Sequence, residues 1–388
     1  MNPASFPLIL LSPVSDAKYI WSALLLEMEG KFDAAAFIRL LGEFGLDEVL
    51  GQVPCIVSLS DPTDLPDEAL HELPAEKIIL RLPAKLCGNG ATAPERFLKA
   101  GFRIMAEGLP TSGLMAGVTS LALPCPAESS PGLAAMLARL PGPHLGGGAD
   151  SVSHYTHGTG FTWFSGNYLP RFEKGKGPVS PHHQFLLLRL LALVAADSES
   201  NELEAIVKQD AQISYQLLKL VNSVAFSLPQ KITSFKQAIT LLGRRQLQRW
   251  LQLLLYAHAK TAAPNPLMPR AALRAELMES LCAGLEGNRE SQDRAYMIGM
   301  FSLLDRLLGS AMKEVIAPLG LADEVVSALT ERRGTMGAWL SVIEASERGG
   351  SELSVLSTAL TSAGIDPLAW AKAQVISYRW AIPIGKEE

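Results

Sequence analysis

The chain has 388 residues, 48% hydrophobic and 19% charged. This is a globular composition with material for more than one core, and it excludes a disordered or fibrous protein. The 34 basic and 39 acidic residues give a net charge of -5, which argues against nucleic-acid binding by bulk electrostatics, so no nucleic-acid partner is expected. Cys55, Cys87, Cys125 and Cys282 form no CxxC-type spacing, and a cytoplasmic location is expected. No basic region precedes the short apolar run Leu8 to Leu11. The later run Phe185 to Ala196 is interrupted by Arg189 and is shorter than the roughly 20 residues of a bilayer span, so no secretory signal or membrane segment is expected.

In chain order, residues 1–178 are broken by Pro and Gly, as in Pro141-Gly142-Pro143 and Gly146 to Gly148. Val53 to Val57, Lys77 to Leu82, Phe102 to Ala106 and Val118 to Leu123 are apolar runs of strand length. Asp33 to Phe44 and Ala93 to Ala100 between them read as helices. This alternation predicts parallel α/β layers of the barrel kind. The segment Glu173 to Pro181, rich in Gly and Pro, reads as a linker.

Residues 1–178 hold 13 basic and 18 acidic side chains, and 179–388 hold the remaining 21 (34 − 13) and 21 (39 − 18). From Pro181 the pattern becomes helical. Residues 185–196 are apolar nearly all round, as in a buried bundle helix. Asn201 and Asp210 are predicted caps, and Ser234-Phe-Lys-Gln237 has capping-box form. Gly243 is expected to end one helix in a left-handed conformation before the next starts at Arg244. Further helices are predicted over 271–285, 291–309, 323–331 and 335–347, making 179–388 an all-α domain.

Within it, Gln209 to Phe226 and Ile232 to Arg245 resemble the HDOD domain, a helical output module related to the HD phosphohydrolases. The resemblance rests on Asn222-Ser223 and on the Ala238-Ile239 to Leu242-Gly243 segment. The tail from Asp366 through Trp380-Ala381 resembles the end of bacterial proteins that join a degenerate EAL domain to an HDOD domain. The resemblance implies a shortened EAL-like, TIM-barrel-related α/β domain over 1–178 and an HDOD bundle over 179–388. Its best candidates for binding positions are Asn222, Ser223, Gly243, Arg244 and Arg245.

Chemistry of the HD type needs a His-Asp pair and further ligands around a divalent metal. By the resemblance that pair falls at Leu304-Asp305, where the histidine is absent, and His258 is the one histidine after residue 183. EAL domains hydrolyse cyclic di-GMP with two metals held at barrel strand ends. By that resemblance Ser22 stands for the glutamate, Arg81 for an acid, Glu107 for the twin aspartates and Ser165 for the glutamine. The literal Glu68-Ala69-Leu70 reads as a chance match between Pro66 and Pro74. Gly146 to Gly148 with His154 lacks the Lys-Ser/Thr of a phosphate loop. Arg244, Arg245 and Arg249 form a short basic stripe suited to a solvated face or a protein contact before DNA.

These readings imply a non-catalytic bacterial signalling protein without metal or cofactor, linked to cyclic di-GMP signalling and acting through contact of its HDOD domain with an unidentified signalling protein. A bound cyclic dinucleotide is not the leading expectation. The alternatives are a cyclic-nucleotide-binding receptor and a residual metal-dependent phosphodiesterase.

Overall fold

The protein is seen in a computed structural model that describes residues 6–110, 113–125, 131–151, 154–155, 160–173, 181–196, 198–210, 213, 235–256, 265–349 and 353–384. The chain forms two compact units, Met1–Leu169 together with Ala338–Glu388, and Pro170–Gly337.

The first unit contains a closed barrel of eight strands in sequence order: β1 (Ile9–Asp16), β2 (Trp21–Met28), β3 (Cys55–Ser58), β4 (Ile78–Pro83), β5 (Arg103–Glu107), β6 (Val118–Pro124), β7 (Leu145–Gly147) and β8 (Trp163–Ser165). β1 runs antiparallel to both β2 and β8, and the other neighbouring pairs are parallel. Around it lie α1 (Ala34–Gly42), α2 (Leu46–Leu50), α3 (Asp67–Leu70), α4 (Ala93–Lys99) and α5 (Pro131–Leu137). The four strand-length runs become β3 to β6. The barrel interior is one cluster, Val14, Ala23, Leu25, Ile56, Ile79, Met105, Ala122 and Leu145, with Trp163 packed against it. The opposite faces, among them Leu24, Val57, Leu80, Ile104 and Leu121, are also buried. Burial on both faces explains why these runs are apolar without alternation.

Local chemistry sets the element ends. Asp33 starts α1 by accepting a hydrogen bond from the Ala36 amide at 2.9 Å, the usual task of an N-cap carboxylate. The β1–β2 turn is held by Asp16, whose Oδ1 accepts from the amides of Lys18 and Ile20 at 2.7 and 3.0 Å, and by Tyr19 at φ 64°. His144 is buried between elements: its Nδ1 accepts from the Leu121 amide at 3.1 Å and its Nε2 lies 3.0 Å from the Leu137 carbonyl.

In the second unit, α6 (Pro181–Ala195), α7 (Ser200–Val207), α8 (Phe235–Leu254), α9 (Leu267–Gly284), α10 (Arg289–Phe301), α11 (Leu304–Leu308), α12 (Met312–Ile316) and α13 (Asp323–Glu331) are described. Gly243 sits inside α8 at φ 71° and ψ 163°, so two helices meet there at a kink. Asp210 Oδ1 accepts from the Ile213 amide at 3.3 Å, a capping contact, whereas Asn201 lies inside the first turn of α7, whose cap residue is Glu199. The predicted helix over 291–309 is broken between α10 and α11. Ser302 Oγ donates back to the Gly299 carbonyl at 2.7 Å and Leu303 leaves helical geometry at φ −115° and ψ 8°; such back-bonding competes with the helix ladder. Gly299 itself lets α10 approach α9 closely, since a Cβ there would lie 2.5 Å from the Arg274 carbonyl oxygen.

The sequence places residues 338–388 in the helical domain; the structure puts Ala338–Glu388 with the barrel. α14 (Gly334–Ser346) leads back to it, followed by α15 (Leu353–Ser362) and α16 (Pro367–Ile384). The physical reason lies on β1. β8 pairs only with Val14 to Asp16, which leaves the Ile9–Leu11 edge without a strand. Gln374 of α16 fills that place: its Oε1 accepts from the Leu11 amide at 2.8 Å and its Nε2 donates to the Ile9 carbonyl at 2.9 Å. Tyr378 donates its hydroxyl to the Leu11 carbonyl at 2.9 Å. Buried backbone groups need such partners. Pro13, two residues on from Leu11, has no amide to place on that same side.

Candidate functional site

Because strand side chains alternate, residues two positions beyond the interior cluster also face inward, at the carboxyl end of the parallel strands. From Leu25, Ile56, Ile79, Met105 and Trp163 this gives Glu27, Ser58, Arg81, Glu107 and Ser165. Arg81 joins two of them, Glu27 and Glu107. Its Nη2 donates to Glu27 Oε1 at 3.1 Å, with only 13% and 18% of the two side chains exposed, and its Nη1 lies 3.7 Å from Oε1 of the half-exposed Glu107. Ser58, opposite Arg81 in the β3–β4 register, has a buried Oγ without a hydrogen-bond partner, as does Arg81 at Nε. Strand ends at this face of a barrel can converge side chains from distant sequence positions.

Three of the residues singled out through the EAL resemblance, Arg81, Glu107 and Ser165, thus meet at one barrel end. Ser22 does not join them. It falls at the irregularity where the register steps from Val14–Ala23 to Ser15–Trp21, and its Oγ donates to the Ile20 carbonyl at 3.1 Å. Glu27 and Ser58 were missed, and their only sequence signal is a polar residue closing an apolar strand run. Glu68-Ala69-Leu70 lies on the short helix α3 rather than on a strand. Among the described residues no three His, Cys, Asp or Glu side chains are grouped to hold a metal ion. At the barrel end the guanidinium of Arg81 spans the two carboxylates, so this donor set as built does not fit a divalent cation.

In the second unit, Arg245 and Arg249 do not form a free basic stripe. Arg245 donates from Nη2 to Glu279 Oε1 at 2.9 Å and from Nε to Asp293 Oδ1. Arg249 donates to the same Glu279 oxygen, and its guanidinium stands 4.3 Å from the Tyr296 ring centroid. These groups join α8, α9 and α10. Burial, and then the neighbouring Glu279, push the Glu276 carboxyl up to about 7 against the opposing pull of Arg249 and Arg245. Gly243 supplies the kink; Arg244 lies on the turn of helix that follows it. Asn222, Ser223 and His258 lie outside the described residues. Asp305 stands in the first turn of α11. His183 is buried and places Nδ1 2.6 Å from Asp210 Oδ2.

A closed α/β barrel and a helical unit define a two-part protein with a charged barrel end. The helical part carries an HDOD domain, matched over residues 180–317. Among curated proteins, the chain is 31% identical over 196 residues to "Cyclic di-GMP phosphodiesterase CdgJ" of Vibrio cholerae, covering 50% of this chain and 45% of that protein. It is 33% identical over 176 residues to "Uncharacterized protein YuxH" of Bacillus subtilis, covering 44% and 42%. The matches therefore span less than half the length of these relatives. Among solved structures, an HDOD domain protein of unknown function from Geobacter sulfurreducens aligns with a TM-score of 0.33 and 15% identity over 51% of this chain and 90% of that one. The Klebsiella pneumoniae BlrP1 calcium/cyclic di-GMP complex aligns with a TM-score of 0.31 and 13% identity over 42% and 55%. No helix among the described residues is long and apolar enough to cross a membrane.

The expectation that the chain is not an enzyme is corrected by the Vibrio relative, whose name is that of a phosphodiesterase. The ligand positions of the HD and EAL patterns do not include Glu27, an acid that reaches the barrel end from another strand position.

Proposed function

We propose that this protein works in cyclic di-GMP signalling, with the barrel end around Arg81 meeting the dinucleotide and the HDOD domain relaying its state by contact with a partner protein. The observation that carries the reading is the HDOD domain in a chain related to a protein named a cyclic di-GMP phosphodiesterase. The supporting geometry is a set of charged and hydroxyl side chains from β2, β3, β4, β5 and β8 gathered at one barrel end. The first unit is read as a shortened EAL-like barrel on the resemblance of its strand residues.

The test joins calorimetry with a turnover assay. The full chain is titrated with cyclic di-GMP and separately incubated with it in the presence of Mg2+ or Mn2+, the linear dinucleotide product being followed by chromatography. Saturable heat or product formation is the expected result. A chain that shows neither at millimolar dinucleotide overturns the link to this second messenger.

A further inference from the structure

We infer that the barrel end reads a guanine base, with Glu107 accepting from the N1–H and the exocyclic amino group and Arg81 donating to the O6 carbonyl. The inference rests on the cyclic di-GMP reading and adds which part of the ligand is recognised and by which side chains.

The geometry separates an anchored pair from an open arm. Glu27 and Arg81 are sheltered and hydrogen-bonded at 3.1 Å, so Glu27 fixes the guanidinium. Glu107 is 50% exposed and stands 3.7 Å from Nη1, beyond hydrogen-bonding distance. A carboxylate acceptor and a guanidinium donor are therefore presented side by side. Guanine carries the matching pattern on one edge, two donors next to a carbonyl acceptor, and arginine is the common reader of that base. Adenine places a ring nitrogen acceptor where guanine has N1–H, which would face the carboxylate with a lone pair.

Charge decides between the base and the phosphate. Two carboxylates around one guanidinium leave this barrel end formally negative, and a phosphate placed there would meet like charge at short range in a partly buried site. A neutral heterocycle escapes that repulsion. Two further features suit a base. Ser58 Oγ and Arg81 Nε are buried polar atoms without partners on the same inward face. Leu109, two residues beyond Glu107, is 61% exposed and adds apolar surface just past the end of β5.

Calorimetry on the full chain with cyclic di-GMP, cyclic di-AMP and guanosine tests this, with thermal melts checking the fold of each variant. Cyclic di-GMP is expected to bind at least about tenfold tighter than cyclic di-AMP, because a site built on hydrogen bonds rejects a ligand that leaves them unmade. Guanosine is expected to compete. Glu107→Ala, at a half-exposed position, is expected to erase the preference, and Glu107→Gln, which keeps one acceptor oxygen, to retain part of it. Equal affinity for the two dinucleotides, failure of guanosine to compete, or unchanged selectivity in Glu107→Ala would overturn the base assignment while leaving the cyclic di-GMP reading in place. A wild-type chain that binds neither dinucleotide would overturn both.

Discussion

Glu276 carries a pH dependence whose sign follows from its surroundings. Its carboxyl is raised from 4.5 to about 7 in the fold, first by burial and then by Glu279 on the same helix, while Arg245 and Arg249 of α8 pull it down. Asp293 and Tyr296 of α10 stand in the same cluster. The folded state thus holds a proton that the unfolded chain releases near 4.5. The stability this contributes is full below about 4.5 and is lost as pH rises through about 7. Glu276→Gln is expected to stabilise the second unit at pH 8 by about 1–3 kcal/mol, with the gain shrinking toward pH 4.5. Denaturant unfolding at pH 5 and pH 8 reads the difference directly. His144 has the opposite sign. Burial lowers its pKa from 6.5 against the hydrogen bonds to Leu137 and Leu140, so the neutral ring belongs to the fold, and the stability it contributes is present above the unfolded value of 6.5 and is lost as pH falls below it through the lower folded value. An NMR titration of this ring is expected to give a midpoint below 6.5; a midpoint above it would contradict the buried, neutral assignment.

The kinked helix α8 shows one element performing two tasks. Gly243 takes φ 71° and ψ 163° with open space where a Cβ would go, so the requirement for glycine there is conformational rather than steric. Gly243→Ala is expected to cost about 1–3 kcal/mol of stability, the range for a backbone region that only glycine enters freely. A denaturation midpoint unchanged from wild type would contradict this. Past the kink, Arg245 and Arg249 tie α8 to α9 through the sheltered Glu279 and to α10 through Asp293. Glu279→Ala, which leaves Arg245 and Arg249 with Asp293 as their remaining carboxylate among these pairs, is expected to cost about 3 kcal/mol in the same measurement. These elements also show what a sequence can disclose. The Gly243 break was readable because glycine marks a left-handed position, and β3 to β6 were readable because doubly buried strands are unbroken apolar runs. The β1–β2 hairpin was not, since its turn puts Tyr19, not Gly or Asn, at positive φ. β7 has only three residues, too few for a periodicity to register. Arg81 and Glu107 could be singled out by resemblance, but their meeting with Glu27 and Ser58 depends on strand register, which is a property of the closed barrel.

At the scale of the whole chain, the HDOD-bearing unit interrupts the unit that holds the barrel: the chain leaves after Leu169 and returns at Ala338. No local pattern announces this, because the deciding hydrogen bonds join Gln374 and Tyr378 to β1 residues more than 360 positions earlier. These bonds replace the strand that β8 is too short to supply, and their loss leaves the Leu11 amide and the Ile9 carbonyl buried and unpaired at about 1–3 kcal/mol each. β1 and α16 are therefore expected to open as one cooperative unit despite the folded helices between them in sequence. Native-state hydrogen exchange on the full chain tests this. The amides of Leu11 and of Gln374 through Tyr378 are expected to share one opening free energy, and Gln374→Leu to lower it for both segments while leaving the protected amides of α9 and α10 unchanged. Exchange of α16 in step with α9 and α10 instead would mean that the final helices draw their stability from the second unit, and the strand-replacing contacts of Gln374 would then be too weak to define the fold.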